Sequence, residues 1–322
     1  MGTRQWKARK VAIVGAGAVG STFAYALAQS GVAEDIAIID SNQDLVKGQV
    51  LDLAHGLSFF PAIHIHEGNP NDYSDANVIV VTAGAKQQPG ESRLGLLDRN
   101  VAIIKKIARD IAAQQSRAVI LVVSNPVDIL TYAMQKELDW APGQVIGSGT
   151  VLDSARFRYL LGIYLGVDSH SIHGYILGEH GDSEFAAWSM THVGGSLIEQ
   201  YCMSGNKRDD WEAQRQRIVD EVKNSAYHII NYKGATYFAI GLALTQIVTA
   251  VLRNQRSVLS ISTLLTGEYG LKDVCLSVPC VVSQKGAERI IEGEITPDEM
   301  NTLSGSAAVL QKTLADLNKV EP

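Results

Sequence analysis

The sequence predicts an α/β protein in two parts, a doubly wound parallel sheet followed by an α+β region. Three observations predict it. In the first half, short β-branched runs alternate with helical stretches, the pattern of βαβ units. Those runs, KVAIVGA, DIAIID, NVIVVTAG and AVILVVSNP, lack clean polar alternation, as strands buried on both faces do. After about Ser148 the texture changes to longer helices and polar turns.

Taken in order, the first strands are separated by apolar spacings of three or four residues over 21–30, 44–53 and 95–113, which predict helices. The boundary is expected at 148, giving domains over 1–148 and 149–322. In the second part, a helix is predicted over about 212–232, with Lys233-Gly234 as its break. The apolar stretch 235–252 approaches membrane-spanning length, but Thr245 and Gln246 near its middle make it a buried core helix. RSVLSISTLLTGEYG and CLSVPCVVSQKG read as antiparallel strands, and Thr296, Pro297 and Glu299 signal the capped start of a last helix.

Composition narrows the class of function. The 322 residues carry a formal net charge of -6 and no long run of Lys or Arg, which argues against nucleic acid and anionic membrane and for a small-molecule partner. Cys202, Cys275 and Cys280 form no CxxC pair and no metal-ligand spacing. That implies a reducing compartment, no disulfide and no bound metal. The basic start before VAIVGAGAVG is followed by no cleavage signature, and the expected location is cytoplasmic.

Gly15, Gly17 and Gly20 form GxGxxG between a strand and a helix, with Ala18 and Val19 inside the loop and Asp40 ending the next strand. Glycine there allows a tight turn and close backbone approach, and a helix N-terminus receives a pyrophosphate. An acid at Asp40 accepts hydrogen bonds from ribose hydroxyls and repels a 2′-phosphate, which favours NAD over NADP. FAD shares the glycine pattern, so hydride transfer rests on the second half. This is the Rossmann arrangement.

LGEHGDSE contains one histidine, His180, between Glu179 and a Gly181-Asp182 turn, placed to trade a proton near neutral pH. QQPGESR holds Arg93, SNPVD holds Asn125, and LDSARFR holds Asp153, Arg156 and Arg158. Together with the glycine loop, these motifs resemble in order, over nearly the whole chain from about Lys10, the L-2-hydroxy-acid dehydrogenases of the lactate/malate dehydrogenase family. Within it the chain is most similar to the bacterial, allosteric L-lactate dehydrogenases.

The resemblance implies NAD-dependent hydride transfer between pyruvate and L-lactate. His180 is then the acid/base, and Asp153 fixes its tautomer and stabilises the imidazolium. Arg156 grips the substrate carboxylate in a two-pronged ion pair. Arg93, in a segment with Gly84 and Gly90, closes as a lid and polarises the carbonyl. Asn125 and Ser148 bond the nicotinamide ribose, nicotinamide or substrate, Ala83 and Gly84 border the cofactor, and Thr236 and Ile240, one helical turn apart, face the site.

Gln87 stands where a malate dehydrogenase of the family would carry an arginine, which leaves oxaloacetate with an unpaired buried charge. Malate or branched-chain 2-hydroxy acids are the alternative substrates, and an NAD-binding protein without turnover is the alternative of another class. Arg156 and Arg158, two apart on a helix, point to different sides. Arg158 and His173 match positions that bind fructose 1,6-bisphosphate as activator in the bacterial enzymes, and the resemblance implies a homotetramer. Leu45 departs from the family, whose members often carry lysine near the adenosine end. The other histidines, His64 and His66 among them, read as structural or surface residues.

Overall fold

A computed structural model of the chain describes residues 8–85, 92–203 and 210–318. The first half runs β1 (Lys10–Val14), α1 (Ala18–Ser30), β2 (Asp35–Ile39), α2 (Gln43–His55), β3 (His64–Glu67), β4 (Val78–Val81), α3 (Arg93–Ala113), β5 (Val119–Val122), α4 (Val127–Leu138) and β6 (Val145–Gly147). Across the sheet the order is β6-β5-β4-β1-β2-β3, with every neighbour parallel. Winding reverses between β1 and β4, and such a reversal opens a crevice beyond the C-terminal strand ends where ligands bind. All residues of β1, β4 and β5 are buried. Helices cover both faces, which is why these strands show no polar alternation.

Neither β3 nor β6 stands out in the sequence. β3 is HIHE, too polar to stand out because it is an edge strand, and β6 has three residues.

The second half contains α5 (Val151–Leu165), β7 (Ile172–His173), β8 (Ile176–Leu177), β9 (Phe185–Ala186), β10 (His192–Val193), β11 (Ser196–Leu197) and α6 (Ile198–Met203). It continues with α7 (Trp211–Lys233), α8 (Phe238–Leu252), β12 (Ser257–Thr266), β13 (Lys272–Ser283), β14 (Gly286–Ile290) and α9 (Pro297–Asn318). β12 and β13 pair antiparallel as expected. They do not stand apart from the first sheet, because Ser262 of β12 pairs with Gly147 of β6 and extends it through β13 to β14. Gly147 allows that junction, since an added Cβ would lie 2.5 Å from Thr131 Oγ1 and 2.9 Å from Ser262 Cβ.

α8 is a core helix packed along α1, with Leu244, Ile247, Val248 and Val251 buried. It starts at Phe238, later than the apolar run suggested. Gly234 ends α7 in the left-handed conformation (φ 82°), its N–H on the Ile230 carbonyl, and residues 235–237 make the turn between the helices. Thr236 therefore lies before the helix rather than one helical turn below Ile240 within it. No helix among the described residues is long and apolar enough to cross a membrane.

α9 begins as predicted, with the Thr296 N–H on Glu299 Oε2 and the Glu299 N–H on Thr296 Oγ1. A second apolar cluster joins α5 and α7 through Phe157, Leu161, Trp188, Trp211 and Ile218. Trp188 sits edge-on to both Phe157 and Trp211, and this packing holds two walls of the site at a fixed spacing. All three cysteines are free and buried.

Candidate active site

The glycine loop closes on itself through backbone contacts. Gly15 takes φ 113°, its N–H bonded to the Ile39 carbonyl at 2.7 Å. An added Cβ at Gly20 would fall 1.9 Å from the Gly15 carbonyl oxygen, so only glycine lets α1 start this close to β1. Gly17, the N-cap of α1, is different: an added Cβ there would meet no protein atom within 4 Å. Packing within the chain does not require glycine at that position; room for a group from outside does.

Asp40 follows β2, and its carboxylate accepts the N–H groups of Ala16 at 2.8 Å and Asn42 at 2.9 Å. It is thereby fixed beside the loop with further lone pairs to offer. Thr82, after β4, donates to the Gly15 carbonyl, and Ser124 donates to the Ala83 carbonyl. The ends of β1, β4 and β5 are thus tied together, with Gly84 exposed beside them. Ala18 is exposed and Val19 half-buried at the start of α1, whereas Leu45 is exposed on α2.

A cleft of about 490 Å³ opens where α3, α5 and α7 converge on Asn125 and Pro126, and Asp153, Arg156, His180, Glu184, Lys223 and Tyr227 line it. Its centre is Asp153 in the first turn of α5, 1% exposed, where the helix dipole favours a carboxylate. Asp153 Oδ2 lies 2.7 Å from His180 Nδ1, and Oδ1 accepts from Arg156 at 2.7 Å. An ionised carboxylate can only accept, so Nδ1 carries a proton and Nε2 remains for the cleft.

Backbone contacts hold His180 independently. Its N–H donates to Asp128 Oδ2 at the start of α4, and Gly178 exchanges two backbone bonds with Ser277 on β13. Burial works against the imidazolium, but the charge and hydrogen bond of Asp153 outweigh it and raise the His180 pKa to about 9. Asp153 is depressed: burial opposes this, and His180 and Arg156 prevail.

Glu184 is 4% exposed, and burial followed by the nearby Asp153 charge pushes it up to about 8. Asp128 is pushed up to about 6 by burial, against the N–H and charge of His180. Neither acid stands out in the sequence, although Glu184 lies in LGEHGDSE and Asp128 in SNPVD. Nor is Glu179 the acid beside His180, because its carboxylate accepts from Ser183 instead.

The other sequence-predicted residues divide. Arg93 is the first residue of α3, following the Ser92 cap, one turn before Leu96 and Leu97 of the cleft wall. Asn125 lines the cleft, whereas Ser148, Thr236 and Ile240 are not among its lining residues, and Ser148 is buried after β6. Gln87 lies outside the described residues. Arg158 is half-buried, turned from the cleft toward Tyr175. His173 is exposed on β7, paired across strands with His192.

Residues 9–147 match the model of the lactate/malate dehydrogenase NAD-binding domain, and residues 150–321 match that of the lactate/malate dehydrogenase alpha/beta C-terminal domain. The chain belongs to the lactate/malate dehydrogenase family. It is 59% identical to L-lactate dehydrogenase of Treponema denticola over 97% of this chain and 99% of the relative. It is 44% identical to L-lactate dehydrogenase 1 of Clostridium acetobutylicum over 96% and 98%. The ligand-bound minor L-lactate dehydrogenase of Enterococcus mundtii superposes with a TM-score of 0.93 at 42% identity, covering 98% of this chain and 99% of that one. As a member of this family the protein is an NAD-dependent oxidoreductase, and the loop from Gly15 to Gly20 with Asp40 fits the cofactor.

Proposed function

We propose that the protein is an L-lactate dehydrogenase that interconverts pyruvate and L-lactate. The observation that carries this is the Asp153 carboxylate shared between His180 and Arg156 in one cleft. NAD, when bound, supplies the hydride acceptor or donor. His180 Nε2 takes the hydroxyl proton during lactate oxidation and returns it during pyruvate reduction. Asp153 keeps the tautomer and stabilises the charged imidazole. Arg156, anchored by one nitrogen on Asp153, offers its remaining donors to a substrate carboxylate.

Arg93, Gln87 and Asn125 complete the substrate site in this reading, with Arg93 polarising the substrate carbonyl. The neutral Gln87 favours pyruvate over oxaloacetate. Ala83, Gly84 and Ser148 are assigned to the cofactor side, and Thr236 and Ile240 to the edge of the substrate site.

Fructose 1,6-bisphosphate is the proposed activator, bound by Arg158 and His173. The support is that Arg158 is half-buried with no ion pair among the described residues, on the side of α5 away from the cleft. Exposed apolar pairs one turn apart, Phe238 with Leu242 on α8 and Tyr159 with Ile163 on α5, fit subunit contacts of a homotetramer. The proposed location is cytoplasmic, with the domains divided at about 148.

The test is NADH oxidation with pyruvate, oxaloacetate and 2-ketoisocaproate side by side, each with and without fructose 1,6-bisphosphate. Preference for pyruvate, with its half-saturation lowered by the sugar phosphate, supports the whole reading. Preference for oxaloacetate overturns the role of Gln87. NADH binding without turnover of any keto acid overturns catalysis.

A further inference from the structure

At the opposite end of β2 from Asp40, three side chains converge on one face of the sheet edge. Asp35 opens β2 and pairs in register with His64 of the edge strand β3, and His66 returns to the same face two residues on. Asp35 Oδ1 lies 3.2 Å from His64 Nδ1 and 3.2 Å from His66 Nε2. One ligand atom from each residue lies within 4.8 Å of the others. Tetrahedral ligation at roughly 2.0–2.1 Å puts ligand atoms about 3.3 Å apart. The two 3.2 Å separations match that edge.

The hydrogen bonding of the His66 ring agrees with this geometry. His66 Nδ1 lies 3.1 Å from the Glu67 carbonyl oxygen, which can only accept, so this nitrogen carries a proton. In the neutral ring Nε2 then presents a lone pair, and it faces Asp35 Oδ1 at 3.2 Å and Asp72 Oδ1 at 3.9 Å. His66 Nε2 and Asp35 Oδ1 then face one another as two acceptors, an arrangement that a cation between them resolves. A ligating imidazole with its other N–H on a backbone carbonyl is the common arrangement around bound metal. Lys10 holds Asp72 at 2.8 Å and leaves Asp35 as the nearer carboxylate.

We propose that Asp35, His64 and His66 bind one divalent transition-metal ion, zinc above all, which ties the edge strand β3 to β2. Two imidazoles and one carboxylate suit a borderline cation, and the fourth position is left to water or Asp72. The site stands apart from Asp153, His180 and Glu184, so its role is to brace the sheet edge rather than to take part in turnover.

The test is zinc titration by calorimetry and by melting temperature on the chelator-treated full chain, with cobalt as a spectroscopic probe. His66→Ala, His64→Gln and His180→Ala are measured beside the parent, and NADH binding checks that each variant folds. One zinc per chain is expected, with a melting temperature that rises with zinc. His66→Ala and His64→Gln weaken binding on the order of 10–100-fold or more, and neither alters kcat. No zinc-dependent rise in the parent, a rise kept in His66→Ala, or a rise lost only in His180→Ala each overturns the proposal.

Discussion

His180 Nδ1 lies 2.7 Å from Asp153 Oδ2, although the two residues are 27 apart in sequence and reach the cleft from the loop after β8 and from α5. This contact sets the charge of the site. Asp153→Asn keeps the size but removes the negative charge that stabilises the imidazolium. Its kcat for keto-acid reduction falls by about 10²- to 10⁴-fold, read by steady-state NADH oxidation.

The pH dependence has opposite signs in the two directions. Reduction requires the imidazolium, so its rate falls as pH rises through about 9, the raised pKa of His180. Oxidation of the hydroxy acid requires the neutral ring and rises over the same range. Profiles of kcat/KM in both directions check this, and two flat profiles contradict it.

The same shift affects stability. A group whose folded pKa is raised contributes stability that is fully present below its unfolded value, about 6.5 for histidine. It is lost as pH rises through about 9. Glu184, raised to about 8, acts in the same sense from the ordinary carboxylate range upward. The melting temperature therefore declines between pH 6.5 and 9, and His180→Gln makes that decline shallower.

Two glycines separate folding from cofactor binding. Gly20→Ala forces a Cβ against the Gly15 carbonyl and lowers the melting temperature. Gly17→Ala meets no protein atom and leaves melting nearly unchanged while weakening NADH by about 1–3 kcal/mol. Thermal melts beside NADH fluorescence titrations decide it, and equal losses in both variants would contradict the assignment.

Arg156→Lys retains charge but loses the planar fork that serves Asp153 and a carboxylate together. Its KM for pyruvate rises by about 10- to 100-fold with a smaller change in kcat.

Periodicity and glycine spacing lie along the chain itself, so strands such as KVAIVGA, the helix over 212–232 and the loop from Gly15 to Gly20 could be read without coordinates. The side-chain roles at His180, Asp153 and Arg156 came from motif order, and the cleft joins these three residues. Glu184 and Asp128 escaped because an acid kept from water looks like any other acid in the chain; only packing raised their pKa values to about 8 and about 6. The start of α8 escaped because apolar character continues through residues 235–237, where the Gly234 cap imposes a turn. His64, His66 and Asp35 meet only because β2 and β3 pair in register. Local pattern specifies elements, whereas burial, register and charge proximity arise from residues far apart in the chain.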